Sequence, residues 1–220
     1  MIEQLLETNI INGLAAIIIL TTFLAVASNR MYSLVNIYAL QSFTLGILAV
    51  AVAYFTGSDH IYIVAVLAII IKSAVIPRIL VYVMDRIKVD REVELLVNIP
   101  ASLLISGSLA ILAYFITEPL IAHGSAITRN CLAISIAVML IGLFTMISRR
   151  KAITQIIGLM IMENGLFLAA ISTTYGMPMI VEIGIFFDIL VGVLIMGIFA
   201  FRINRTFETM DTGFLRRLRD

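Results

Sequence analysis

Charge is missing from this chain in blocks long enough to cross a lipid bilayer. Of its 220 residues, positions 8–29, 31–58, 95–117 and 130–148 hold no Asp, Glu, Lys or Arg. A helix rises about 1.5 Å per residue, so each block suffices to cross a hydrocarbon core of ~30 Å. These windows predict helices near 9–28, 34–56, 97–117 and 128–147. Three further apolar stretches have the same length but carry one ionisable residue near the middle: 61–83 with Lys72, 152–172 with Glu163 and 179–201 with Asp188. The expectation is an all-α integral membrane protein of about seven transmembrane helices. Helices are required because every backbone amide in lipid must be bonded within its own segment or within a closed barrel. The short alternating segments of a barrel are absent from the sequence.

Composition closes off other classes. Hydrophobic residues make up 61% of the chain and charged residues 13%, too little charge to cover a soluble surface. Cys131 is the one cysteine, which excludes an intrachain disulfide and a thiolate cluster for zinc or iron–sulfur. His60 and His123 fall in outer loops and are too few for haem or a histidine-rich metal site. The net charge of +1 gives no reason to expect a nucleic-acid partner. No nucleotide-binding loop or hydrolase motif appears, so no catalytic centre, metal or cofactor is expected in this chain. The eleven methionines suit flexible packing. The opening MIEQLLETN carries Glu3 and Glu7 and no basic residue, unlike a secretory signal, so residues 1–30 read as mature protein.

Basic residues give the orientation. Arg30 lies in the first loop, Arg86, Lys88 and Arg91 in the third, and Arg149, Arg150 and Lys151 in the fifth. Arg202, Arg205, Arg216, Arg217 and Arg219 crowd the tail, whereas the second, fourth and sixth loops hold almost none, Arg129 excepted. The expected topology has the N-terminus outside and the C-terminus in the cytoplasm. A faint direct repeat is also present. Asn12-Gly13-Leu14-Ala15 parallels Asn130-Cys131-Leu132-Ala133, and the helices that follow end at Ser28-Asn29-Arg30 and Ser148-Arg149-Arg150. By approximate position on corresponding helices Gln41 faces Glu163 across the repeat and Lys72 faces Asp188, and the fourth helix is a spacer that returns the chain to the outside.

Lys72, Glu163 and Asp188 lie too deep for easy snorkelling to the interface. One charge at the bilayer centre costs roughly 2.5–3.5 kcal/mol, so three cost on the order of 8–10 kcal/mol. Two readings of that cost stand side by side. Lys72 pairs with Glu163 or Asp188 and pins the bundle together, or the three titrate and carry protons. A pair that opens and closes does both. Glu182, near the outer end of the last helix, marks either the interface or the entrance of such a path. Glu118 begins an outer loop, and Arg78, just after Pro77, reads as an anchor to the headgroups.

The segment 140–170 reads LIGLFTMISRRKAITQIIGLMIMENGLFLAA, and 181–198 reads VEIGIFFDILVGVLIMGI. Together they resemble the small K-type membrane subunit of respiratory complex I, which has three helices, a basic first loop and a motif like IGLEIMxN. The third helix of that family carries a carboxylate before a small apolar run, which Asp188-Ile189-Leu190-Val191-Gly192 matches. The whole chain, with four more helices in front, is similar to the hydrogenase-4 component E family, found in group 4 nickel–iron hydrogenase and formate hydrogenlyase complexes. The sequence departs from the K-type pattern at one place: the family's glutamate position holds Met160, and the acid comes three residues later at Glu163, one turn on along roughly the same helix face.

The resemblance implies an N-terminal three-helix unit over 1–96, a spacer helix and outer loop over 97–127, a K-type unit over 128–202 and a basic tail over 203–220. It implies a non-redox subunit in the cytoplasmic membrane of a prokaryote, bridging antiporter-like subunits and, indirectly, a nickel–iron hydrogenase arm. Proton translocation coupled to electron transfer would then use Lys72, Glu163 and Asp188. A multisubunit cation/proton antiporter, whose C-type subunit shares the K-type fold, fits the same residues, as does a purely structural anchor. The topology makes the first prediction. A reporter fused after Arg219 shows cytoplasmic activity and one inserted near Thr174 shows external activity; the reverse pattern contradicts the reading.

Overall fold

The structure, a computed structural model, describes residues 2–57, 59–87, 95–121, 126–174 and Gly192. Helix α1 (Ile2–Ala27) is followed by α2 (Met31–Thr56). The third span is compound: α3 (Asp59–Ala68), a π-helical segment (Ile69–Val75) and α4 (Ile76–Ile87). Then come α5 (Ile99–Ile121), α6 (Ala126–Ser148) and α7 (Ala152–Thr174). No strand occurs among the described residues, only one isolated bridge between Leu95 and Arg149. Six of these helical stretches are long and apolar enough to cross a membrane. The chain is therefore a multi-pass, all-helical membrane protein. The seventh expected span (179–201), with Asp188 and Glu182, lies outside the described residues except for Gly192, as do His123 and the tail.

Local chemistry sets the helix ends. Gly57 closes α2 in the left-handed region at φ 65°, where glycine has no Cβ penalty, and its N–H reaches the Ala53 carbonyl. Asn98 caps α5: its side-chain oxygen accepts from the Ala101 amide at 3.1 Å. Pro100 follows in the first turn, where no amide is needed. Helix α5 runs on through Pro119, so Glu118 sits exposed inside its last turns rather than opening a loop.

The expected third span was an uninterrupted α-helix, and the widened turn is a departure from it. Pro77 has no N–H for the Ser73 carbonyl, and its ring crowds that carbonyl. In lipid such a break must be repaired locally, and a π turn is one repair. The Ile76 amide bonds to Ile71 O, five residues back. Arg78, one residue beyond the proline, is exposed.

Two antiparallel hairpins form the core. Helix α1 packs on α2 and α6 on α7, while α1 also lies on α6 and α2 on α7. Among the described residues, the helices that the expected repeat would pair, α1 with α6 and α2 with α7, are in contact. The third span lies against α2, and α5 packs on α6 and α1. Helix α5 turns most of its surface outward, with Leu104 75% exposed and Ile111, Tyr114 and Phe115 on the same outer surface, as a lipid- or partner-facing helix would.

The α6–α7 hairpin is packed backbone to backbone. A Cβ on Gly142 would stand 2.5 Å from the Met162 amide nitrogen, one on Gly158 2.7 Å from that of Met146, and one on Gly165 2.7 Å from that of Met139. All three pairs share one antiparallel register. Between apolar helices in lipid, backbone approach through small residues supplies the packing that the hydrophobic effect cannot. Because the obstructing atoms are backbone, no rotamer change relieves the clash. Gly158→Ala should cost about 1–3 kcal/mol by overpacking, and Gly158→Leu should abolish the packed hairpin. Thermal unfolding of the protein in detergent checks this, with Gly107→Ala, where nothing lies within 4 Å, as the neutral control.

Candidate functional site

Lys72 points from the middle of the π segment into the bundle, 2% exposed, and forms an ion pair with Glu163 of α7, whose side chain is 15% exposed. Its ammonium also lies 5.5 Å from the centroid of the Phe167 ring, at the edge of cation–π range. Glu163 and Phe167 stand four residues apart on α7, so one helix face presents both to Lys72. Glu163 is eleven residues from the start of α7, roughly 16 Å along the axis. The pair therefore sits deep in the membrane-spanning layer.

Beside the pair runs a chain of buried amides and hydroxyls. Asn164, next to Glu163, donates to Gln41 Oε1 at 3.1 Å and to the Ser42 hydroxyl at 3.0 Å. Gln41 in turn donates to the Thr22 hydroxyl at 2.7 Å and towards the Ile18 carbonyl at 3.4 Å. The Tyr38 hydroxyl is hydrogen-bonded to Ser42 and lies within electrostatic reach of Glu163. Thr22 is five residues from the end of α1, about 8 Å in, and Gln41 ten residues from the start of α2, about 15 Å in. The chain thus descends from one end of the bundle to the depth of the ion pair.

That end is where the basic loops meet, as the alternation of basic residues requires. The Leu96 amide bonds to Ser148 O at 3.0 Å, tying the third loop to the end of α6. Tyr32, at the start of α2, donates to the Asp85 carboxylate near the end of α4. Arg149, one of the basic residues of the fifth loop, turns inward. It is 1% exposed, and its Nη2 donates to the Val26 carbonyl at 2.7 Å and lies 3.5 Å from that of Ala25. A cation there satisfies the terminal carbonyls of α1 and suits the negative end of its dipole. Burial pushes the guanidinium down to about 10, which leaves it charged at neutral pH. Gln155 Nε2 secures it by donating to the Arg149 carbonyl at 2.8 Å.

Of the three residues expected to share a network, the structure brings Lys72 and Glu163 together; Asp188 and Glu182 lie outside the described residues. Met160, at the K-type glutamate position, is buried, and a Cβ on Gly192 would come 3.6 Å from its Cε. Thr22, Tyr38 and Ser42 did not stand out in the sequence, because such polar residues are common in apolar helices. The signals were the K-type motif, whose last position is Asn164, and the repeat, which set Gln41 opposite Glu163; in space Gln41 bonds to the next residue along. Among the described residues no group of three or more His, Cys, Asp or Glu could hold a metal ion.

A protein of Mycobacterium tuberculosis, uncharacterized protein Rv0085, is 30% identical over 92% of this chain and 93% of its own length. Hydrogenase-4 component E of Escherichia coli K12 is 27% identical over 96% of this chain and 97% of its own length, and so is that of Shigella flexneri. This chain is a full-length homologue of hydrogenase-4 component E. A family model for NADH-ubiquinone/plastoquinone oxidoreductase chain 4L matches residues 130–220, the half that holds Arg149, Glu163 and Asn164. No solved structure matches the chain. Homology of the full length therefore agrees with the resemblance drawn from the motifs, and the chain 4L match covers the half expected to be K-type.

The amide cluster predicts a measurable coupling. Asn164→Leu leaves Gln41 Oε1 without its donor, and Gln41→Leu strands the Asn164 amide. A double-mutant cycle on thermal stability in detergent should give a coupling of about 0.5–1.7 kcal/mol, the range of interhelical hydrogen bonds in membranes. A coupling of zero contradicts the network.

Proposed function

We propose that this chain is a non-redox subunit of the membrane arm of a complex I-related, hydrogenase-4-like complex, and that Lys72 and Glu163 belong to its proton path. The single observation that carries this is the ion pair itself. Two opposite charges have been placed deep among apolar helices, each carried by a different span, when a packed apolar pair would be as stable or more so. Charges retained at such cost within a membrane mark ion and proton routes as a rule.

The surroundings support a route rather than a clamp. From the basic-loop end, Thr22, Gln41, Ser42, Tyr38 and Asn164 give a polar seam along which water and hydroxyls can approach Glu163. Glu163 takes the proton when Lys72 withdraws, and Lys72 holds the carboxylate ionised when it returns. Asp188, by its place in the K-type pattern, carries the path onward, and Glu182 stands near its outer mouth. The basic-loop end faces the cytoplasm in this reading. The chain holds no cofactor and passes no electrons; it answers to the redox arm through neighbouring membrane subunits.

Homology to hydrogenase-4 components favours this setting over a stand-alone cation/proton antiporter. The test uses membranes that contain the whole complex. Glu163→Gln and Asp188→Asn should leave assembly and electron transfer close to wild type while lowering electron-transfer-driven proton uptake into inverted vesicles about tenfold or more. Lys72→Met should also lower assembly, because an ionised carboxylate stranded in the bundle costs roughly 3–5 kcal/mol. Full proton uptake in the Glu163→Gln, Asp188→Asn double variant would reduce the pair to a structural clamp.

A further inference from the structure

Gly46 and Ile69 make a contact that the pairing of Lys72 depends on. Gly46 lies on α2, one turn beyond Ser42, and Ile69 opens the π segment. A Cβ built on Gly46 would fall 2.1 Å from Ile69 Cγ1 and 2.9 Å from its Cδ1, but 3.5 Å from its Cβ. The Ile69 side chain therefore fills the space where any other residue at position 46 would carry its first carbon.

What hangs on this contact follows from how the π segment is held. Among the described residues, apart from its own continuations α3 and α4, the element packed most closely along it is α2. Its other side faces outward, with Ile70 54% and Val75 41% exposed. Lys72 reaches α7 by its side chain, across the flank of α2. The separation between the π segment and α2 therefore sets where the ammonium ends, and the Gly46–Ile69 contact sets that separation. A second feature agrees: the widened turn begins at Ile69, the residue seated on Gly46, and carries Lys72 three residues on.

We propose that Gly46, through Ile69, is the positioning residue for the Lys72–Glu163 pair. This rests on the reading of that pair as an ionised couple in the proton path. A methyl group at position 46 displaces the Ile69 side chain from its seat on α2, by a rotamer change or by a shift of the π segment; on this proposal the segment shifts, and Lys72 is drawn away from Glu163. Shortening Ile69 to alanine removes Cγ1 and Cδ1 and leaves only the Cβ at ordinary van der Waals distance, so the second substitution should restore the seat.

The experiment reads the state of Glu163 in the assembled complex in its own membrane. A buried carboxyl that has lost its cation takes a proton, and the protonated acid is the form that dicyclohexylcarbodiimide attacks. Labelling of Glu163 is quantified by peptide mass spectrometry at equal amounts of complex in wild type, Lys72→Met, Gly46→Ala and Gly46→Ala with Ile69→Ala. The expected result is a several-fold rise in Lys72→Met, a comparable rise in Gly46→Ala, and a return to the wild-type level in the double variant. A rise in Lys72→Met with none in Gly46→Ala overturns the positioning role and leaves the ion pair standing. A rise in Gly46→Ala that Ile69→Ala does not reverse also overturns it. No rise in Lys72→Met strikes at the ionised pair itself. Should Gly46→Ala fail to accumulate, recovery of both accumulation and wild-type labelling in the double variant supports the proposal, and failure of the double variant to accumulate contradicts it.

Discussion

In hydrocarbon a polar group has only the protein to bond with, and nearly every feature of this molecule answers that constraint. The backbone meets it by folding into helices throughout the described spans. Where Pro77 breaks the ladder, a π turn makes good the loss. Where α1 ends, Arg149 arrives from another loop to cap its carbonyls. Buried threonines and serines turn their hydroxyls back to carbonyls three or four residues earlier, as Thr22 does to Ile18 and Thr145 to Ile141. The groups left over, Gln41, Asn164, Lys72 and Glu163, find each other across helices.

The same constraint separates scaffold from site. The α6–α7 hairpin is held by backbone approach at Gly142, Gly158 and Gly165. That packing is rigid and gives α7 a fixed position. The third span, by contrast, touches the core on one side, carries a widened turn and bears the lysine. A fixed carboxylate opposite a cation on a less tightly held segment is the arrangement a pair needs if it is to part and rejoin. The two hairpins bring Gln41 and Asn164 together, so the polar seam lies at the interface between the α1–α2 and α6–α7 hairpins.

Much of this was legible in the sequence. Spans could be counted from charge-free windows, because length and charge decide what lipid accepts. Lys72 and Glu163 stood out for the same reason, and the alternation of basic loops anticipated that the loops at Arg30, Leu95 and Arg149 share one end. The motif IGLMIMENG and the order of helices around it pointed to the family. The rest was hidden for physical reasons. Apolar helices have no polar face, so periodicity could not say which side of α2 meets α7 or that Asn164 bonds Gln41. Arg149 looked like its neighbours Arg150 and Lys151, since a basic residue at a helix boundary reads the same whether it faces headgroups or a carbonyl cluster. The π turn left only Pro77 as a sign, and a proline within a span is more often met by a simple kink.

The central claim is that Glu163 changes its protonation during turnover. Infrared difference spectroscopy on membranes holding the complete complex, with and without electron transfer, observes that carboxyl directly. The account predicts a protonated-carboxyl stretching band that appears or shifts during turnover, is absent in Glu163→Gln and is altered in Lys72→Met. A Glu163 carboxylate whose spectrum is the same at rest and during turnover, in a complex that is pumping protons, would contradict it.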